Sequence, residues 1–369
     1  MKLIFLCGSL EPGVDGVGDY TRRLATELIK QGHQIAALAL DDQFTDKPID
    51  HIEIADTIEL PVYRIPSKLS ADKRFKLADE WIENFNPEWL SLQFVPFSFN
   101  AKGLPFGLST QLSKFKGRKW HIMFHELWIG MEEGSTLKRI IWGKVQKFLI
   151  KKLIKKLNPS SMHTQTKLYQ IQLAKLGFKV DYLPLFSNIP KIDTINTEEH
   201  QINNKITFVN FGTIHPGASI KRFAQEASIY SKSTSTKIDL ILIGRCGAEQ
   251  EHWINEWKST GLNITVLGEQ PIKRVSEVFS KATFGITTTA LPLVEKSGSV
   301  AAMHEHNLSV ICISKPWQPK GINELPTAAG ILSYNNTNFE SCITSKVEVA
   351  AVRVSNIANQ CIKNLIDKS

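Results

Sequence analysis

The feature that most restricts the fold is an alternation running the length of the chain. Short apolar runs of strand length are separated by stretches with helical periodicity. In the first half the strand-like runs fall at 2–7, 34–40, 89–94, 119–124, 160–164 and 180–185, with helical patterns near 18–31, 75–84 and 136–157. The second half repeats the scheme: runs at 206–211, 237–243, 263–267, 283–288 and 309–313, and helical patterns near 221–231, 248–259, 272–281 and 299–306. Parallel strands need a crossover connection, and a helix that buries one face on the sheet supplies it. Two such sets predict an α/β protein with two doubly wound domains, and 369 residues suffice for two. The polar stretch 189–204, opened by Pro190 and lacking an apolar period, divides residues 1–190 from residues 191–369. A last helix, near 345–367, extends past the second sheet and could cross back to the first domain.

The formal net charge of +8 leaves three classes of partner: nucleic acid, an anionic membrane surface or anionic small molecules. The five cysteines are scattered, odd in number and free of any C-x-x-C pair, which argues against a disulfide framework or structural zinc and fits a reducing cytosol. Cys7 lies in an apolar run and reads as a core residue. The N-terminal apolar run is too short for a secretory signal, and no stretch approaches the ~20 apolar residues of a transmembrane helix. A cytoplasmic protein is expected, with at most peripheral contact at the inner face of a membrane.

Four junctions carry residues suited to chemistry. The turn after the first strand holds Gly13, Gly16 and Gly18. It is either a ligand-approaching loop at a strand's carboxyl end or a βα loop with turn glycines, and its glycine order is not that of a dinucleotide fingerprint. His125 and Glu126 follow the strand at 119–124, where an imidazole can meet a sugar hydroxyl and a carboxylate can orient it or act as a base; the alternative is a plain capping pair. Gly212 and Thr213 turn the chain after the strand at 206–211, with Lys221 and Arg222 soon after; a glycine turn with cations in reach suits a pyrophosphate. The run Glu295-Lys296-Ser297-Gly298-Ser299 opens a helix. A helix start with two hydroxyls and a lysine is an anion site by composition.

The helix at 137–157 carries eight cations among apolar residues at helical spacing. It fits either an anionic membrane surface or a sheet-packed helix with a solvated basic face. Nucleic acid is set aside, because no nucleic-acid-binding motif accompanies the charge.

Together these residues resemble the GT-B glycosyltransferases, in particular the retaining family 4 (group 1) class and a divergent bacterial branch of it tied to surface polysaccharide synthesis. The resemblance covers most of the chain and rests on Gly13, Gly16, Gly18, His125, Gly212, Lys221 and the segment 295–311. It implies two Rossmann-like domains facing each other across a cleft, with the acceptor on the N-terminal domain and the nucleotide sugar on the C-terminal one. It implies donor and phosphate contacts from Gly16, Gly18, Gly212, Thr213, Lys221, Lys296, Ser297, Gly298 and Ser299, and catalytic roles for His125, Glu126 and Glu295. The partners implied are a nucleotide-sugar donor and a saccharide or lipid-linked acceptor, with no cofactor beyond that substrate and no metal, since no D-x-D motif is present. Two positions depart from the pattern. The class carries a second glutamate near Ala302 or Met303, which leaves Glu305 as the nearest acid for the ribose. An arginine is common where Thr213 stands. Asp15, Asp19 and Glu126 remain open as the base. The competing readings are a GT-B sugar-nucleotide epimerase and a non-catalytic binding subunit.

Overall fold

The computed structural model describes residues 1–14, 16–55, 57–192, 204–345, 347–349 and 351–368. The chain forms two compact units: 1–184 with 319–321 and 354–369, and 185–318 with 322–353. Most of the polar stretch at 189–204, and Asp15, lie outside the described residues.

Unit 1 is built on eight strands: β1 (Lys2–Cys7), β2 (Gln34–Asp42), β3 (Ile49–Ala55), β4 (Ile58–Pro66), β5 (Trp89–Phe94), β6 (Lys119–Phe124), β7 (Ser161–Thr164) and β8 (Asp181–Tyr182). Their spatial order is β3-β4-β2-β1-β5-β6-β7-β8. All pairs are parallel except β3 with β4 at the edge. The helices are α1 (Gly16–Lys30), α2 (Ala71–Phe85), α3 (Leu108–Leu112), α4 (Leu137–Leu157) and α5 (Lys167–Ala174). Strand β5 is buried at every position. That is why the central strands show in the sequence as largely apolar runs, with Ser91 and Gln93 as buried polar exceptions in β5. Ser70 caps α2 and Thr136 caps α4, while Asn86 and Asn158 end those helices in the left-handed conformation.

Unit 2 holds six parallel strands: β9 (Lys205–Phe211), β10 (Lys237–Ile243), β11 (Asn263–Gly268), β12 (Phe284–Thr287), β13 (Val310–Cys312) and β14 (Ile331–Ser333). Its helices are α6 (Ile220–Thr234), α7 (Gln250–Lys258), α8 (Ile272–Lys281), α9 (Gly298–Glu305) and α10 (Phe339–Thr344). Side chains alternate across the sheet. Phe208 packs with Phe223, Trp253 and Trp257 on one face, and its neighbour Val209 with Phe279, Val300 and Met303 on the other. The strand order is β11-β10-β9-β12-β13-β14. Chain direction across the sheet therefore reverses between β9 and β12, the position where doubly wound sheets open a ligand crevice. The last helix, α11 (Val354–Ile366), belongs to unit 1.

Three expectations change. The β3–β4 hairpin has no counterpart among the strand-like runs. Its outer strand alternates half-buried and exposed residues, its partner carries Pro61 and Pro66, and Thr57 at φ +66° replaces the usual glycine signal. The final helix begins at Val354 rather than near 345, and the described residues from 345 to 353 are not helical. Val347, Val349 and Val352 are β-branched and resist helix formation. The strand at 180–185 shrinks to Asp181–Tyr182, with Pro184 closing it.

Candidate functional site

At the carboxyl ends of β9 and β12 lies a pocket of about 220 Å³. Asn210, Phe211, Thr213 and His215 line it from the β9 side, Ile286 with Thr287, Thr288 and Thr289 from β12, and Ser297 and Ser299 from the start of α9. Gly212 turns the chain at φ +77°. Its N–H donates to Ile243 O at 2.9 Å and its carbonyl accepts from Asn210 Nδ2 at 3.1 Å. A β-carbon on Gly212 would stand 3.2 Å from Ser299 Oγ. The glycine thus lets the β9 turn come up against the start of α9.

That helix start favours anions for three reasons. Ser297 is the N-cap, its side chain accepting from Val300 N at 3.4 Å. The first turn of a helix leaves N–H groups without intrahelical partners, and the macrodipole puts partial positive charge there. Lys296 brings a full charge. Burial, and secondly the Lys296 charge, lower the pKa of His215 from its ordinary value. That places Lys296 within electrostatic reach of the pocket lining. His215 is also fixed in place: its N–H donates to Thr288 Oγ1 at 2.8 Å, and its Nδ1 lies 3.0 Å from the same oxygen.

The remaining residues of the second half spread out. Glu295 is half-buried on the 3₁₀ turn Leu291–Lys296. Gly298, exposed, opens α9. Lys221 is exposed on the first turn of α6 and is not part of the pocket lining. Arg222 turns to Glu226 at 3.2 Å, and Arg245 to Glu269 at 2.6 Å. Glu305 closes α9 at the end away from Ser297, about 12 Å along the axis at 1.5 Å per residue. Ala302 and Met303 are sealed in the core, where a carboxylate would have to be buried without water.

In unit 1 the first turn of α1 and the end of β6 come together. Tyr20 stands edge-on to His125, ring centroids 4.9 Å apart. Gly18 is a packing glycine, since a β-carbon there would lie 3.2 Å from Ser9 O; Gly16 has open space around it. The loop between β1 and α1 is tied down. Asp42 accepts from Leu10 N at 3.2 Å, Arg64 pairs with Glu11, Arg22 donates to Leu10 O, and Gly13 N donates to Asp19 Oδ1 at 3.1 Å. Burial raises the pKa of Asp19 against the lowering effects of that hydrogen bond and Arg22. His125 is buried, with Nε2 2.9 Å from Gln93 Oε1 and Nδ1 3.2 Å from Gln165 Oε1. Glu126, half-buried, follows it.

The pocket adds Asn210, His215 and the three threonines at the end of β12 to the residues picked out by sequence. A row of three hydroxyl residues directly after an apolar strand was the available signal. Among the described residues, no group of three or more His, Cys, Asp or Glu is placed to share a metal ion.

Two doubly wound, largely parallel sheets in one chain, the second with its pocket at the switch point, are the GT-B fold. Solved structures of GT-B glycosyltransferases bear this out over the full chain. HepE of Anabaena in complex with UDP and glucose is 14% identical, with 100% of both chains covered and a TM-score of 0.60. The catalytic domain of starch synthase IV from Arabidopsis thaliana, bound to ADP and acarbose, is 10% identical, with 100% of this chain and 99% of that one covered and a TM-score of 0.59. A TarM G117R mutant from S. aureus, in complex with Fondaparinux, alpha-GlcNAc-glycerol and UDP, is 11% identical, with coverage of 100% and 97% and a TM-score of 0.55. No family model matches the chain, and no match was found among curated proteins.

Proposed function

We propose that the protein is a glycosyltransferase that moves a sugar from a nucleoside diphosphate sugar to a saccharide or lipid-linked acceptor, in the synthesis of a surface polysaccharide. The observation that carries this is the apposition of Gly212 and Ser299 in the pocket at the switch point of unit 2. Nucleotides and sugars bound by HepE, starch synthase IV and TarM support it.

Departure of the nucleoside diphosphate develops negative charge on the phosphates. Lys296, the N–H groups at Gly298 and Ser299, and the hydroxyls of Ser297 and Ser299 oppose that charge, an electrostatic role that requires no metal. Gly212 and Thr213 let the backbone approach the phosphates, and Lys221 adds long-range attraction from α6. Glu295, next to Lys296, is assigned to the sugar. The acceptor falls to unit 1, with Glu126 and Asp19 as contacts, and the backbone at Gly16 and Gly18 keeps the donor-side role expected from the sequence. Asp19 suits a base, since burial raises its pKa. His125 meets a sugar hydroxyl only by exchanging its Gln165 partner. Glu305 is reserved for the ribose, and the family's retention of anomeric configuration is carried over.

The test is turnover of UDP-, GDP-, ADP- and dTDP-sugars with and without saccharide acceptors, read as nucleoside diphosphate release and product structure. One donor is expected to be consumed only with acceptor. A bound nucleotide with no turnover of any donor would make the chain a binding subunit. An isomerised sugar nucleotide formed without acceptor would make it an epimerase.

A further inference from the structure

Helix α4 has two apolar faces, and only one of them is used inside the fold. At ~100° per residue, the buried Gln146, Leu149, Ile150, Leu153 and Leu157 form one side. Leu137, Ile141 and Phe148 lie on the opposite side, within about 40° of one another on the helix wheel. They are 72%, 53% and 61% exposed. Lys144, Lys151, Lys152 and Lys155 share that sector. The helix carries eight cations and no Asp or Glu. Among the described residues, none of the eight pairs with a carboxylate. A shallow groove of about 400 Å³ opens between Phe148 and the lysines at 151, 152, 155 and 156. The neighbouring segment is fixed to α4 by Trp142 Nε1 donating to Lys102 O at 2.9 Å and Gln146 Nε2 to Gly103 O at 3.0 Å, and it adds Phe106, 68% exposed.

We propose that this face of α4 docks on an anionic lipid bilayer. Large apolar side chains in line with unpaired lysines match the two layers of a membrane surface, acyl chains beneath phosphates. A soluble polyanion would use the lysines and leave Leu137, Ile141 and Phe148 in water. An apolar protein partner would use the latter and bury the lysines uncompensated. The surface extends beyond the donor chemistry proposed above and does not depend on it.

The test is flotation of the full chain with vesicles of phosphatidylcholine alone and of phosphatidylcholine with phosphatidylglycerol. Flotation is expected only with the anionic vesicles, and binding is expected to fall about tenfold between about 0.05 M and about 0.5 M salt. Lys144→Gln/Lys152→Gln/Lys155→Gln should remove the low-salt binding. Ile141→Ser/Phe148→Ser should weaken binding about tenfold while leaving the melting temperature unchanged, since both residues are exposed. No flotation at low salt overturns the proposal, as does an Ile141→Ser/Phe148→Ser variant that floats like the wild type, or retention by heparin without flotation. Nucleoside diphosphate binding by the same variants should equal that of the wild type, and its loss in the wild type would count against the donor site alone.

Discussion

A β-carbon placed on Gly212 would stand 3.2 Å from Ser299 Oγ. Two residues nearly ninety positions apart thus form one edge of the pocket, and neither can grow without moving the other. Gly212→Ala also forces an alanine to φ +77°, a cost of about 1–2 kcal/mol. The melting temperature should fall by about 4 °C, and affinity for the cognate nucleoside diphosphate by about tenfold. Calorimetric titration and a thermal melt measure both. Wild-type affinity in Gly212→Ala would show that the ligand does not meet this edge.

Ser297 has two roles that substitution can separate. Its side chain caps α9, so Ser297→Ala should cost about 1 kcal/mol of stability. Ser297→Asp keeps the cap but places a negative charge where the phosphates are proposed to sit. The melting temperature should stay near the wild type, while nucleotide affinity falls by more than about tenfold. Equal affinity in the aspartate variant would move the phosphates elsewhere.

Acid should destabilise unit 1 through a pair of buried histidines. His163 Nδ1 lies 2.8 Å from His121 Nε2, and His121 Nδ1 lies 2.7 Å from Ser91 Oγ. Burial lowers the pKa of His163 to about 4, and burial together with the nearby His163 charge holds His121 well below its ordinary value. The unfolded chain takes up these protons near pH 6.5, while the folded chain resists them. The stability is therefore whole above about pH 6.5 and is lost as pH falls toward 4. His163 alone should account for about 2 kcal/mol between about pH 7 and pH 5. Denaturant midpoints across that range test it, and His163→Asn should flatten the dependence. An unchanged slope in that variant would assign the effect to other groups.

The protonation of His125 is set by its neighbour. Gln93 Nε2 lies 2.8 Å from Ser91 Oγ and 3.5 Å from Ser91 O, so Gln93 Oε1 faces His125. A neutral His125 then donates from Nε2 to Gln93 Oε1, and its Nδ1 accepts when the Gln165 amide presents its otherwise unpartnered NH2 group in place of Oε1. Nitrogen-15 NMR should report the Nε2–H tautomer. Gln93→Leu should cost about 1–3 kcal/mol by stranding the ring, and a spectrum with the Nδ1–H tautomer in the wild type would contradict the arrangement.

The central strands were legible because burial on both faces keeps them mostly apolar; β5, β6 and β10 match the sequence expectation at both ends. The edge hairpin was not, because half-buried strands with internal prolines carry neither a continuous run nor a glycine turn. The start of α9 could be found because Lys296, Ser297, Gly298 and Ser299 are adjacent in sequence. The contact of His215 with Thr288 joins residues 73 positions apart, and only the parallel pairing of β9 with β12 reveals it. Lys221, exposed on the first turn of α6, is not among the residues that line the pocket.

The pocket beside Gly212 and Ser299 is tested most directly by calorimetric titration of UDP, GDP, ADP and dTDP into the wild-type chain and into Ser297→Asp. One nucleoside diphosphate should bind the wild type, and that binding should be lost in Ser297→Asp without loss of fold. Absence of binding by all four, or equal binding to both proteins, would contradict a donor site at the start of α9.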